Sequence, residues 1–291
     1  MGEVIDLPYE SVKDVKIYYE IHGPSEAPPI VWIAGWGNSY WLWFRQIPAF
    51  KEQYRCIIFD NRGAGRSSKP DYPYSMSMFA DDTVGLMDAL SIESAHIVGV
   101  SMGGFIAEQI AVSYPQKVQS LVLISTHFGG PNAVVADKRT MAMMFASPTE
   151  TLSMEQALEM RYSVAYSPQF LRENKPLLKQ IQEWNEQNPQ PVFARLHQAA
   201  ASIGSAFNLE EEVKQISAPT LILQGANDLM IPPKNAEMLT ENISTSRLVL
   251  LEGGPHLSIF EQYDKVNNVI LAFLDEVEKG QFIPKPKKQV I

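Results

Sequence analysis

Two periodicities organise the apolar residues of this chain. Val15-Lys16-Ile17-Tyr18-Tyr19-Glu20-Ile21 alternates, as an early antiparallel strand does. Residues 30–34, 56–59, 96–100, 121–125, 220–223 and 248–251 are unbroken apolar, β-rich runs instead. Strands buried on both faces read this way. Between them, 75–90 places Met76, Phe79, Thr83, Leu86, Met87 and Leu90 at helical spacing. Residues 258–277 do the same with Ile259, Val266, Val269, Ile270, Phe273 and Leu274. This alternation predicts a mostly parallel sheet covered by helices.

One stretch breaks the alternation. Residues 128–208 contain no convincing strand, but helix-start signals recur there. Ser153 has Gln156 three positions on, Ser167 precedes Pro168, and Pro191 follows Gln190. The pattern predicts a core from 1–127 and 209–291, and an all-helical insertion over 128–208. An insertion at the carboxyl edge of such a sheet is expected to form a mobile lid over the ligand crevice.

Composition narrows the picture. The 291 residues carry 24 Lys and Arg against 33 Asp and Glu, a formal charge of −9. An acidic chain without a basic stripe is not expected to bind nucleic acid. The single basic cluster, Lys285, Lys287 and Lys288, reads as a solvated tail. The lone Cys56 lies in an apolar run and reads as a small buried hydrophobe. Met1 to Asp6 has neither the basic region nor the apolar core of a signal peptide, and Asp6 stands where a myristoylation signal needs Ser or Thr. No apolar stretch approaches the roughly 20 residues of a membrane span. The expectation is a cytoplasmic protein.

The chemistry centres on Gly99-Val100-Ser101-Met102-Gly103, between a buried-strand run and a helix-like stretch. In that context Gly-x-Ser-x-Gly marks a strained turn that exposes a serine nucleophile. The Met102 amide then sits at a helix N-terminus, placed to bind an oxyanion. A serine hydroxyl needs a base, and the base needs an orienting group. Among five histidines, His256 follows an apolar strand in Gly253-Gly254-Pro255-His256 and precedes the last helix. It is the expected base. His22 ends a strand, His96 begins the Ser101 strand at its far end, and His197 falls in the helical insertion. His127 follows a strand and is a pocket candidate. The expected acid is Asp228, in the loop after 220–223. Asp60 also ends a strand, but its Asn-Arg-Gly-Ala-Gly-Arg-Ser neighbourhood reads as a tight structural loop stitched by an Asp–Arg contact. The order Ser101, Asp228, His256 is Ser…Asp…His. Gly35-Trp36-Gly37 follows an early strand and supplies the second oxyanion donor, the Trp36 amide.

With these blocks in place, the chain from about Val15 to Leu274 resembles the α/β-hydrolase fold family. The blocks are Ile-Ala-Gly-Trp-Gly, Asp-Asn-Arg-Gly-Ala-Gly-Arg-Ser, Gly-Val-Ser-Met-Gly-Gly, Leu-Gln-Gly-Ala-Asn-Asp-Leu-Met-Ile-Pro and Gly-Gly-Pro-His. They are similar to those of the lidded branch of carboxylesterases, enol-lactonases, carbon–carbon bond hydrolases and cofactor-free haloperoxidases. That family often has His-Gly before the oxyanion residue, where this chain has Ala34-Gly35. The resemblance implies an eight-stranded, mostly parallel sheet with the helical lid inserted after the sixth strand. It also implies a serine hydrolase that needs no metal or organic cofactor. The expected reaction is cleavage of a small, largely apolar carboxylic ester through an acyl-enzyme. A lactonase or carbon–carbon hydrolase is the alternative within the family, and a ligand-binding receptor on the same scaffold is the alternative outside it. Aspartate-dependent dehalogenase and epoxide-hydrolase chemistry is disfavoured by Ser101. Trp36, Trp41, Trp43, Met141, Met143, Met144, Phe145 and Trp184 are candidates for an apolar lining. Arg139, Arg161 and Arg195 are the insertion's candidate cations for a carboxylate substrate.

Overall fold

The unbroken apolar runs become the central strands because each feeds two cores at once. Val31 and Ile33 face one side of the sheet, while Ile30, Trp32 and Ala34 face the other. Leu121 and Leu123 oppose Val122 and Ile124 in the same way, and Leu248 and Leu250 oppose Val249 and Leu251. Successive side chains alternate across a strand, so a strand covered on both faces is apolar throughout.

The computed structural model describes residues 8–203, 207–284 and 289–291. The first residues of the chain, with the leader expectation, and the Lys285, Lys287, Lys288 cluster lie outside them. In order, the elements are β1 (Tyr9–Val12), β2 (Val15–His22), β3 (Pro29–Ile33), α1 (Ile47–Phe50), β4 (Arg55–Phe59), α2 (Met76–Ala89), β5 (Ala95–Val100), α3 (Met102–Ser113) and β6 (Val118–Ile124). The helices α4 (Lys138–Met144), α5 (Met154–Ala165), α6 (Pro168–Glu173), α7 (Lys175–Gln187) and α8 (Val192–Ser202) follow. The chain then forms β7 (Thr220–Gly225), α9 (Lys234–Asn242), β8 (Ser246–Leu251), α10 (Ser258–Glu261), α11 (Tyr263–Glu278) and β9 (Gln289–Val290).

The strand order is β1-β2-β4-β3-β5-β6-β7-β8-β9. The β1–β2 and β2–β4 pairs are antiparallel, and every pair from β4–β3 to β8–β9 is parallel. The nine strands among the described residues exceed the eight implied by resemblance. Neither β1 nor β9 stands out as a patterned segment: β1 is four residues of mixed burial, and β9 is an exposed pair. β9 is held by backbone pairing with β8, which leaves no hydrophobic period to read.

Helix starts follow local chemistry. Ser75 caps α2 by accepting from the Met78 N–H at 3.2 Å. Ser153 and Gln156 form the reciprocal capping box of α5. Ser167 caps α6, with Pro168 in its first turn. The helical pattern of 258–277 is in fact two helices, because the chain leaves helical geometry at Gln262. Between β6 and β7 no strand occurs among the described residues. Gly129 and Asn208 bridge where the chain leaves the sheet and where it returns. No helix among the described residues is long and apolar enough to cross a membrane.

Candidate active site

Ser101 joins β5 to α3 with φ 55° and ψ −122°. For a residue with a Cβ this region costs on the order of 1–3 kcal/mol and persists only where neighbours hold it. Here the Ser101 N–H donates to the Ile124 carbonyl at 2.9 Å, and the Ser101 carbonyl accepts from Thr126 Oγ1 at 3.0 Å. The turn also needs its two glycines. A Cβ on Gly99 would stand 2.1 Å from the Gly103 carbonyl oxygen, and one on Gly103 would stand 2.1 Å from that of Ile33.

Ser101 lines a cavity of about 510 Å³ at the carboxyl edge of the parallel strands. His256, Trp36, Met102 and His127 line it too. They follow β8, β3, β5 and β6, so one edge of the sheet gathers them.

Asp228 and His256 meet because their loops prolong the β7–β8 pairing. The Ala226 N–H donates to the Leu251 carbonyl at 2.9 Å, and the Asn227 N–H to that of Gly254 at 2.8 Å. His256 Nδ1 then donates to Asp228 Oδ2 at 2.8 Å. Both side chains are buried. A carboxylate acceptor fixes the proton on Nδ1 and leaves Nε2 as the basic nitrogen. Asp228 Oδ1 accepts from the Met230 and Ile231 N–H groups, each at 2.9 Å. Gln224 Nε2 donates to Oδ2 at 3.0 Å. Four donors therefore hold the carboxylate in one orientation. Ser101 Oγ makes no hydrogen bond among the described residues, and catalytic hydrogen bonds are often long before a substrate is bound.

The N–H groups of Trp36 and Met102 donate to no protein acceptor among the described residues, and both residues line the cavity. The loop carrying Trp36 is steadied from the loop after β4, where Asn61 Nδ2 donates to the Ala34 carbonyl at 3.0 Å. Asp60 serves that loop system and not His256. Its carboxylate accepts from the Tyr40 and Arg66 N–H groups, each at 2.7 Å. Burial pushes its pKa up to about 6. The Arg62 guanidinium pairs instead with Asp82 at 2.6 Å.

His127 Nδ1 accepts from the Gly129 N–H at 2.8 Å, so Nε2 carries its proton. Burial pushes its pKa down to about 4, which keeps the ring neutral. Trp41, Met141, Met144 and Phe145 line the cavity, and Phe145 packs on Trp36 with ring centroids 5.0 Å apart. Trp184 does not line it: its ring is taken up by Trp41 at 5.5 Å and Phe44 at 5.2 Å. Trp43 lies in the core against Trp32, and Met143 and Arg139 are outside the lining, whereas Arg161 and Arg195 are within it.

Sequence reasoning missed Gln198 of α8. Its side chain is fully buried. Oε1 accepts from the Gly37 N–H at 3.2 Å and Nε2 donates to the Arg62 carbonyl at 2.8 Å. Gln224 was missed as well. Gln224 had a signal, a polar residue at the end of an apolar strand, whereas Gln198, next to His197 and three positions after Arg195, had none.

Similarity to known proteins follows the same lines. The chain is 27% identical to RutD of Azorhizobium caulinodans, a provisionally named carbamate hydrolase, over 94% of this chain and 100% of that one. The enol-lactonase of Burkholderia xenovorans LB400 superposes with TM-score 0.79 at 25% identity, covering 92% of this chain and 100% of its own. A meta-cleavage product hydrolase from Pseudomonas fluorescens IP01 gives 0.76 at 26% identity, covering 90% and 95%. A family description of the alpha/beta hydrolase fold matches residues 28–263, and the chain belongs to that family.

Proposed function

We propose that the protein is a serine hydrolase of small carboxylic esters, with Ser101 as nucleophile, His256 as base and Asp228 as its orienter. The carrying observation is the buried 2.8 Å Asp228–His256 bond beside a serine held at φ 55° in the same cavity. In this reading His256 Nε2 takes the Ser101 proton as Oγ attacks the ester carbonyl. The Trp36 and Met102 N–H groups hold the developing oxyanion. The imidazolium protonates the leaving alkoxide, and water activated by His256 then releases the acid from the acyl-enzyme. Residues 128–208 act as the lid, with Met141, Met144 and Phe145 giving the acyl or alcohol group an apolar wall.

A cyclic ester uses the same groups, and the likeness to the Burkholderia enol-lactonase favours adding lactones to the test. The likeness to the meta-cleavage product hydrolase adds vinylogous diketones. A fluorophosphonate should label Ser101, and p-nitrophenyl esters should turn over. Ser101→Ala should fold normally and lose on the order of 10⁴-fold in kcat. Absence of both labelling and turnover would favour a binding protein on this scaffold, and near-normal turnover by Ser101→Ala would remove the nucleophile assignment.

A further inference from the structure

Two guanidinium groups share the cavity with no acid between them. Arg161 of α5 and Arg195 of α8 both line it. Arg161 Nη1 donates to the Ala146 carbonyl at 2.6 Å, and Arg195 Nη2 donates to Ser147 Oγ at 2.9 Å. The two side chains therefore converge on adjacent residues of the α4–α5 connection. Neither forms an ion pair among the described residues, although the chain has 33 acids for 24 bases. Glu186, the one acidic residue in the lining, accepts from Gln182 at 2.8 Å instead.

Burial and like charge make this arrangement unfavourable. Burial lowers the pKa of both arginines, and the charge of Arg195 lowers that of Arg161 further. A guanidinium does not escape by losing its proton, so both stay charged. Partly desolvated like charges repel, and an anion between them relieves the repulsion and fills their free donors. The pair also stands beside the proposed reaction centre. The Arg195 carbonyl accepts from Trp36 Nε1 at 2.9 Å, and its guanidinium carbon lies 5.6 Å from the Trp36 ring centroid.

We propose that Arg161 and Arg195 form a carboxylate subsite, so that the preferred substrate is an ester or lactone bearing a free carboxylate on an otherwise apolar skeleton. The planar fork of each arginine suits a carboxylate, and the apolar remainder of the lining suits the chain that carries it. This rests on the ester-hydrolase reading for the reaction, though not for the binding.

Two measurements separate the two readings. The first compares kcat/KM for p-nitrophenyl hydrogen glutarate and for p-nitrophenyl 5-methylhexanoate, a neutral ester of matching shape. Wild type should prefer the anionic ester. Arg161→Gln and Arg195→Gln should each lower the anionic-to-neutral ratio about 10-fold or more, mainly through KM for the anionic ester. Lysine at either position keeps the charge and should lower the ratio less than glutamine. The second is calorimetry of monomethyl glutarate and dimethyl glutarate with Ser101→Ala protein, which needs no turnover. The monoanion should bind more tightly, and each added Arg→Gln change should erase that difference. A wild-type protein indifferent to the charge, or a preference untouched by both glutamine variants, overturns the subsite and leaves the hydrolase reading standing. Arginine-dependent binding of the monoanion without turnover of either ester supports the subsite and overturns the hydrolase reading.

Discussion

Ser101 keeps its positive φ because bonds to Ile124 and Thr126 close around it, and because nothing larger than hydrogen fits at Gly103. The contact at Gly103 is with backbone, which has no rotamer to yield. Even Gly103→Ala should therefore destabilise the fold by about 1–3 kcal/mol and shift Ser101 from its donors. A shift near 1 Å is worth roughly 10²-fold in rate. Wild-type melting temperature and kcat in Gly103→Ala would argue against a packed turn. The proposed acid makes an equally local prediction. Asp228→Asn should keep the fold and lose about 10³–10⁴ in kcat, because an amide partner favours the wrong imidazole tautomer. If that variant stays active while Asp60→Asn is dead, the acid is Asp60, despite its bonds to the Tyr40 and Arg66 amides.

At the scale of elements, α8 is the helix most directly wired to the proposed oxyanion loop. Gln198 spans from the Gly37 amide to the Arg62 carbonyl, and Trp36 Nε1 donates to the Arg195 carbonyl. A second tie joins α6 to α10, where Glu261 accepts from the Ser167 N–H and Oγ, each at 2.6 Å. These bonds pin the insertion at particular points while its outer faces stay exposed. Gln198→Leu should leave Gly37 and Arg62 without their partners, a loss of about 1–3 kcal/mol. Hydrogen exchange should then speed up across 192–202, and ester turnover should fall with it. Exchange in 192–202 as slow as in β5, in wild type and variant alike, would count against both the mobile lid and the Gln198 tie.

For the whole molecule, the sheet divides two cores, and its far end holds a buried histidine with no role at the proposed site. His96 Nδ1 bonds Ser120 Oγ at 2.8 Å, and burial pushes its pKa down to about 4. Glu278 stands 3.7 Å from Nε2 but is 37% exposed, too solvated to offset that burial. The unfolded chain takes up this proton near the ordinary value of 6.5, and the folded protein only near 4. Across that window the unfolded state binds more protons, so stability falls as pH drops from 6.5 towards 4. A displacement of that size corresponds to about 3 kcal/mol. His96→Gln keeps a partner for Ser120 and should flatten the slope. Denaturant titrations at several pH values across the window check it, and an unchanged slope would place the acid sensitivity elsewhere.

Much of this was legible in the sequence by itself, because the forces that announce it are local. Alternation feeding two cores makes unbroken strands, a serine three residues before a glutamine caps a helix, and Gly-x-Ser-x-Gly after such a strand makes a turn that only small residues permit. That Ser101, Asp228 and His256 follow strand ends was legible for the same reason, and their catalytic roles are the proposal built on that placement. Tertiary structure decided what depends on contacts across the chain. Trp184 met Trp41 and Phe44 rather than the cavity. Gln198 reached Gly37 and Arg62, 161 and 136 positions away. Arg161 and Arg195 were brought together without an acid, whereas Arg139 was left outside the lining. No period or spacing encodes such meetings, because the energy of a buried polar or charged group is set by whichever partners packing places beside it.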